Sequence, residues 1–181
     1  MSRLGAVLLA LAAMLLACAA PPQVDQGWYV NGAPVPDEPW RAHDGPFLAA
    51  LVITDDAESL YEFWNTKPGN VPVSPVTKIA PGTSVEAVVF FIGCETDSQG
   101  NCDIRGSATV IAPDGRLLAD RIEVPLWVGR PAPPGGALGI SEHGVGMTDE
   151  RLPGSYTFRI VVSDRIGNRE VPLERELTIA H

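Results

Sequence analysis

Ser141, Glu142 and His143 stand in a row and supply a hydroxyl, a carboxylate and an imidazole. A nucleophilic triad needs its hydroxyl on a sharp turn, a base within reach and an acid behind the base. Neighbours along a strand point to opposite faces, so Glu142 is badly placed to orient His143. The Gly-x-Ser-x-Gly pattern of a nucleophile elbow is missing. The sequence therefore predicts a solvated loop and no catalytic residue. His43, His143 and His181 are the only imidazoles, and none lies three to five residues from another or from a free cysteine, the spacing a zinc site uses. Glu95, Asp97, Asn101 and Asp103 put oxygens around Gly100. They lack the spaced set and the terminal bidentate Glu of a calcium loop, and Asp, Asn, Ser and Gly are also what tight turns prefer. No metal and no cofactor is expected. Aromatic platforms remain. Trp127, beside the Pro- and Gly-rich stretch 130–136, offers a ring face to a sugar or small ligand, with Arg130 as a polar contact. Trp40 and Trp64 are a second pair, for which packing at the core or its edge is the ordinary use.

The elements that must position these residues read mainly as strands. Pro and Gly are abundant, 17 and 18 in 181 residues, which favours loops between strands over long helices. Phe47 to Ile53 is a continuous apolar run between turn residues, as a buried strand is. Asp55 with Glu58 resembles a capping box, and Leu60, Phe63 and Trp64 then predict a short helix over Asp56 to Trp64. Val76 to Ala80, Val85 to Ile92, Ile104 to Ile111, Leu117 to Leu118 with Ile122 to Val128, Tyr156 to Ser163 and Val171 to Ile179 read as further strands. Pro113-Asp114-Gly115-Arg116 is a hairpin signal, and Pro125 predicts an edge or a bulge. Arg175 shares parity with Val171, Leu173, Leu177 and Ile179, so it either snorkels at an edge or marks a bulge. About eight strands with frequent turns and one short helix predict an antiparallel β-sandwich in a single domain over 47–181.

The N-terminus carries an address. Arg3 precedes an uncharged apolar run, Leu4 to Leu16, too short to span a bilayer comfortably. Leu15-Leu16-Ala17-Cys18 resembles the lipobox of bacterial lipoproteins, which implies that Cys18 becomes the lipid-bearing N-terminus. The stretch also fits ordinary signal-peptidase cleavage after Ala19 or Ala20. The expected organisation is a signal peptide over 1–17, a Pro-rich tether over 18–46, and the sandwich. The expected location is the periplasmic face of the outer membrane, or soluble in the periplasm or outside the cell. Cys94 and Cys102 are then an even pair in an oxidising compartment. Paired across a hairpin, they set Ile92 opposite Ile104, Phe90 opposite Gly106 and Val88 opposite Ala108. The face bearing Ala87, Val89 and Phe91 is then half wet, and the helix is the candidate cover. The rival geometry sends the loop across the sandwich and destroys this register.

Gly154-Ser155-Tyr156, then Val161-Val162-Ser163-Asp164 and Gly167-Asn168, resemble the tyrosine corner and penultimate strand of immunoglobulin-like sandwiches. That resemblance implies a hydrogen bond from the Tyr156 hydroxyl back to the chain. Pro39-Trp40-Arg41, Asp44-Gly45-Pro46-Phe47, Phe90-Phe91, Gly93-Cys94, Pro113-Asp114-Gly115 and Leu126-Trp127 resemble a group of uncharacterised exported bacterial proteins, which implies a fold and a location but no mechanism.

The formal charge is −9, with 13 basic against 22 acidic residues and no basic cluster in the sequence, which argues against nucleic acid or anionic lipid as a partner. The expected function is a non-enzymatic, lipid-anchored module that binds another envelope protein. A carbohydrate- or ligand-binding module built on Trp127 is the second reading.

Overall fold

The computed structural model describes residues 27–30, 32–66, 75–134, 138–142, 144–147 and 152–180. Cys18, His143 and His181 lie outside them. Two sheets, antiparallel but for one short parallel pair at an edge of the second, face each other, as in immunoglobulin-like sandwiches. The first holds β3 (Arg41–Asp44), β4 (Phe47–Thr54), β6 (Val85–Ile92), β9 (Gly139–Ile140) and β10 (Val145–Met147). Its order is β10-β6-β4-β3, with β9 also on β6. The second runs β5-β12-β11-β7-β8, from β5 (Lys78–Ile79), β12 (Arg169–Ile179) and β11 (Gly154–Asp164) to β7 (Asn101–Ile111) and β8 (Leu117–Pro131). A separate hairpin joins β1 (Trp28–Val30) to β2 (Ala33–Val35). Among the described residues the strands outnumber the eight expected because short pieces, from two to four residues long, form the separate hairpin and complete the sheet edges.

The core lies between the sheets. Phe47, Leu51, Ile53, Val89 and Phe91 of the first meet Ile104, Tyr156, Phe158, Val162, Leu173 and Leu177 of the second. Period-two alternation places them there, and β7 alternates half-buried and buried without a break. The helix α1 (Ala57–Thr66) covers the other face of the first sheet, where Leu60 and Trp64 pack with Ala50, Val52, Val88 and Phe90. Asp56 is its N-cap, accepting from the Ser59 amide at 3.2 Å. The acidic pair at its start is therefore used one residue later than the Asp55–Glu58 reading has it.

The hairpin register predicted for the cysteine pair is overturned. β6 pairs with β4, Phe90 opposite Ala50 and Val88 opposite Val52. β7 pairs with β8 and β11 in the other sheet. The Cys94–Cys102 disulfide forms, with Cα atoms 6.1 Å apart, and the loop it closes crosses from one sheet to the other. The crossing starts at Gly93, at φ 76, where a Cβ would collide with the Pro46 carbonyl. The predicted faces exchange accordingly: Ala87, Val89 and Phe91 enter the core, and Val88 and Phe90 lie under α1.

The tether expected over 18–46 is also corrected for its described part. Residues 28–46 hold β1, β2 and β3, and the Trp28 indole donates to the Ala42 carbonyl at 3.1 Å. These strands have no apolar alternation of their own; the Trp28 indole ties the first hairpin to β3, and backbone bonds hold β3 and the Pro39–Trp40 turn to the domain. The Leu51 amide donates to the Trp40 carbonyl and the Glu174 amide to the Pro39 carbonyl. Trp40 packs on the domain edge.

Other local readings hold. The Ala112 amide donates to the Arg116 carbonyl across the predicted Pro-Asp-Gly turn. β8 is an edge strand with register shifts, one of them between Ile104 and Arg105, whose partner is Pro125. The Tyr156 hydroxyl donates to the Leu152 carbonyl at 2.8 Å, the tyrosine corner. Arg175 stays in register opposite Phe158 and reaches out to lay its guanidinium over the Trp40 ring at 4.7 Å. It snorkels, and no bulge is needed.

Candidate functional site

The polar residues singled out by type are used by the fold itself. Ser141 follows β9 and is fully buried. Its amide donates to the Val89 carbonyl and its hydroxyl accepts the Val89 amide at 3.1 Å, so it fills the gap between β9 and β10 along β6. Glu142 is ion-paired with Arg130, and its amide donates to Leu126 of β8, closing one seam of the sandwich. On the opposite seam the Glu170 amide donates to Asp44 at 3.1 Å. The His43 ring sits 2.8 Å from Asp37 on the surface. Asp97 accepts the Gln99 and Asn101 amides at 2.8 and 2.9 Å, the work of a turn residue. Asp103 pairs with Arg105 at 2.9 Å. Among the described residues no group of three or more His, Cys, Asp or Glu is placed to hold a metal ion.

One polar knot was not legible in the sequence. The Tyr61 hydroxyl of α1 donates to Glu86 at 3.0 Å, and the Gly144 amide donates to the same oxygen at 2.9 Å. Burial, then the Glu86 charge and the bond to it, push the Tyr61 phenol well above its ordinary range; a bond with Ser141 opposes them. The knot ties the helix and the β9–β10 segment to β6. The partners are 25 and 58 residues apart, so local patterns carry no trace of it.

Trp127 and Arg130 come together. The Arg130 guanidinium lies over the Trp127 ring at 4.1 Å, and Phe91 meets the ring edge-on with centroids 5.6 Å apart. The indole N–H donates to the Pro131 carbonyl at 3.1 Å. The ring is thus half-buried and occupied on the side that Arg130 covers.

The open surface is elsewhere. The outer face of the second sheet carries a groove of about 500 Å³ floored by Ser107, Thr109, Val161 and Pro172. Arg121 and the Arg159–Glu174 pair stand at its sides. Ser107 and Val161 are opposite one another, as are Val161 and Pro172, so small side chains line up across three strands. The parity of β7 and β11 shows which residues share that face. Their exposure follows only from the absence of an overlying element among the described residues.

These features define an immunoglobulin-like β-sandwich whose visible asset is a sheet face left uncovered among the described residues. No protein-family model matches the chain, and no curated protein matches it in sequence. Solved structures similar to it include the PKD domain of an M14-like peptidase from a Thermoplasmatales archaeon: 21% identity, TM-score 0.33, 59% of this chain and 88% of that one. An immunoglobulin-like protein from Pseudomonas aeruginosa is 16% identical at TM-score 0.33, over 75% of this chain and 93% of that one. A family 123 glycoside hydrolase from Clostridium perfringens is 10% identical at TM-score 0.37; 74% of this chain matches only 27% of that one.

Proposed function

We propose that the chain is a non-catalytic binding module of the bacterial envelope, lipid-anchored through Cys18, which engages another envelope protein with the outer face of its second sheet. The observation that carries this reading is the difference between the two outer faces. The first is covered by α1, and the second is grooved and, among the described residues, uncovered. An uncovered sheet face with a shallow, small-residue floor suits a surface contact better than the enclosure of a small molecule. The carbohydrate reading has less support, because Arg130 already occupies the ring it would use.

The test is site-specific photo-crosslinking in intact cells with a benzophenone side chain at Val161. The same probe at Glu62, exposed on α1, serves as the reference. One dominant adduct from Val161 and none from Glu62 supports the reading; equal labelling from both faces refutes it. For the anchor, Cys18→Ser is expected to move the protein from the membrane fraction to the soluble periplasm, and retention in the membrane overturns that part.

A further inference from the structure

The groove on the bare face continues into a second one. This runs along the edge of β12 beside β5, has a volume of about 830 Å³, and is lined by Trp40, Lys78, Arg175 and Glu176 among others. Pro39 and Glu174 line both grooves, so the two meet there.

The charge on these walls is opposite to that of the chain. Four cations, Lys78, Arg121, Arg159 and Arg175, stand against two carboxylates, Glu174 and Glu176. The whole sequence has 13 basic against 22 acidic residues. Arg159 is matched by Glu174 at 2.5 Å. Among the described residues, Lys78, Arg121 and Arg175 have no carboxylate within ion-pair distance.

Two of those cations are held in place by unusual means. Arg121 has φ 49, the left-handed region that a residue with a long side chain rarely enters. It sits where the β7–β8 ladder slips between Ala108 and Val110, and its amide donates to the Thr109 hydroxyl at 3.3 Å. Such a bulge re-aims a side chain; here Arg121 stands beside the Ser107–Val161 floor. Arg175 shares the core parity of β12 and is partly desolvated against Trp40, which lowers its pKa from the usual guanidinium value, with the Glu38 charge opposing. Arg41 lies over the same ring at 4.8 Å, though its charge is met by Glu38 at 2.7 Å.

We propose that the joined groove is the docking site for an extended acidic segment of a protein partner, its carboxylates set against Arg121 at one end and against Arg175 and Lys78 at the other. This rests on the binding role proposed above and names the chemistry of what is bound. From β8 across β7 and β11 to the far side of β12 is four strand spacings, about 20 Å, the reach of roughly six extended residues.

The probe is a fluorescein-labelled hexaglutamate peptide, titrated against the full chain in non-ionic detergent at low ionic strength and followed by anisotropy. Saturable binding that weakens with added salt is expected. Arg121→Gln and Arg175→Gln are each expected to weaken it about fivefold, the scale of one exposed charge pair, with Arg175→Lys restoring most of the loss. Arg116→Gln, which removes an exposed charge outside the groove, is expected to leave affinity unchanged. No saturable binding, or an equal loss from Arg116→Gln, overturns the proposal. Displacement by polygalacturonate at a lower carboxylate concentration than free hexaglutamate also overturns it, in favour of an acidic glycan. Failure here is separable from failure of the binding role. If the Val161 crosslink captures a partner and capture survives Arg121→Gln with Arg175→Gln, the bare face binds a protein and the acidic-segment assignment is wrong.

Discussion

The two sheets of this sandwich treat their outer faces in opposite ways. On the first, Leu60 and Trp64 of α1 seal Val52, Val88 and Phe90, so β4 is buried along its whole length and β6 along nearly all of it. On the second, β7, β11 and β12 turn Ser107, Thr109, Val161 and Pro172 outward beneath no covering element among the described residues. A strand buried on both faces contributes stability and little else. A strand buried on one face keeps the other available for a partner. The difference teaches where to look for function here: away from the titratable residues that first draw the eye, which are tied into seams and turns.

This contrast can be broken or sharpened by substitution. The largest effect is expected on the covered face. Trp64→Ala removes a buried ring that packs on Phe90 with centroids 5.6 Å apart, and should cost about 3–5 kcal/mol in denaturant unfolding. A loss below about 1 kcal/mol would mean that α1 is not an integral cover. Next is the tie between the sheets. Reducing Cys94–Cys102, or replacing both by Ser, should cost about 2–3 kcal/mol, since the loop it closes is short. Unchanged melting under reductant would count against the bond.

The third effect is a pH dependence. The folded Tyr61 phenol titrates above its ordinary value of 10.0, so the folded state holds that proton more tightly than the unfolded chain. Its contribution is complete below pH 10 and declines as pH rises beyond it, because the unfolded chain then gains by ionising first. Tyr61→Phe should flatten this alkaline slope; an identical slope in the variant places its origin elsewhere. The smallest effect is expected on the bare face. Val161→Thr should change stability by no more than about 0.5 kcal/mol while weakening capture of the crosslinked partner. A large loss of stability would show that this face is structural after all.

Local signals were legible wherever a residue's neighbours in sequence are also its neighbours in space. The Pro113 to Arg116 turn, the helix after Asp56 though not its capping residue, the edge character at Pro125 and the tyrosine corner at Tyr156 all have partners within a few residues or a backbone preference that acts on the spot. The hairpin register failed for the opposite reason. Val88 to Phe91 is apolar at every position, so alternation could not say which face meets the other sheet, and both pairings bury the run. Strands β1 to β3 were missed because short, Pro-rich segments carry no period; the Trp28, Trp40 and Pro39 bonds to distant backbone make them strands.

The sequence by itself determined the β-rich class, the turns, the short helix after Asp56 and the two cysteines available for pairing, because these depend on periodicity and on the conformational limits of Pro, Gly and Asp. Only the tertiary structure decided that β6 and β7 belong to different sheets, that α1 covers the Val88 and Phe90 face, and that no described element covers the face of Ser107 and Val161. Those outcomes depend on which of several equally apolar surfaces pack together, and that competition is settled by contacts far apart in the chain.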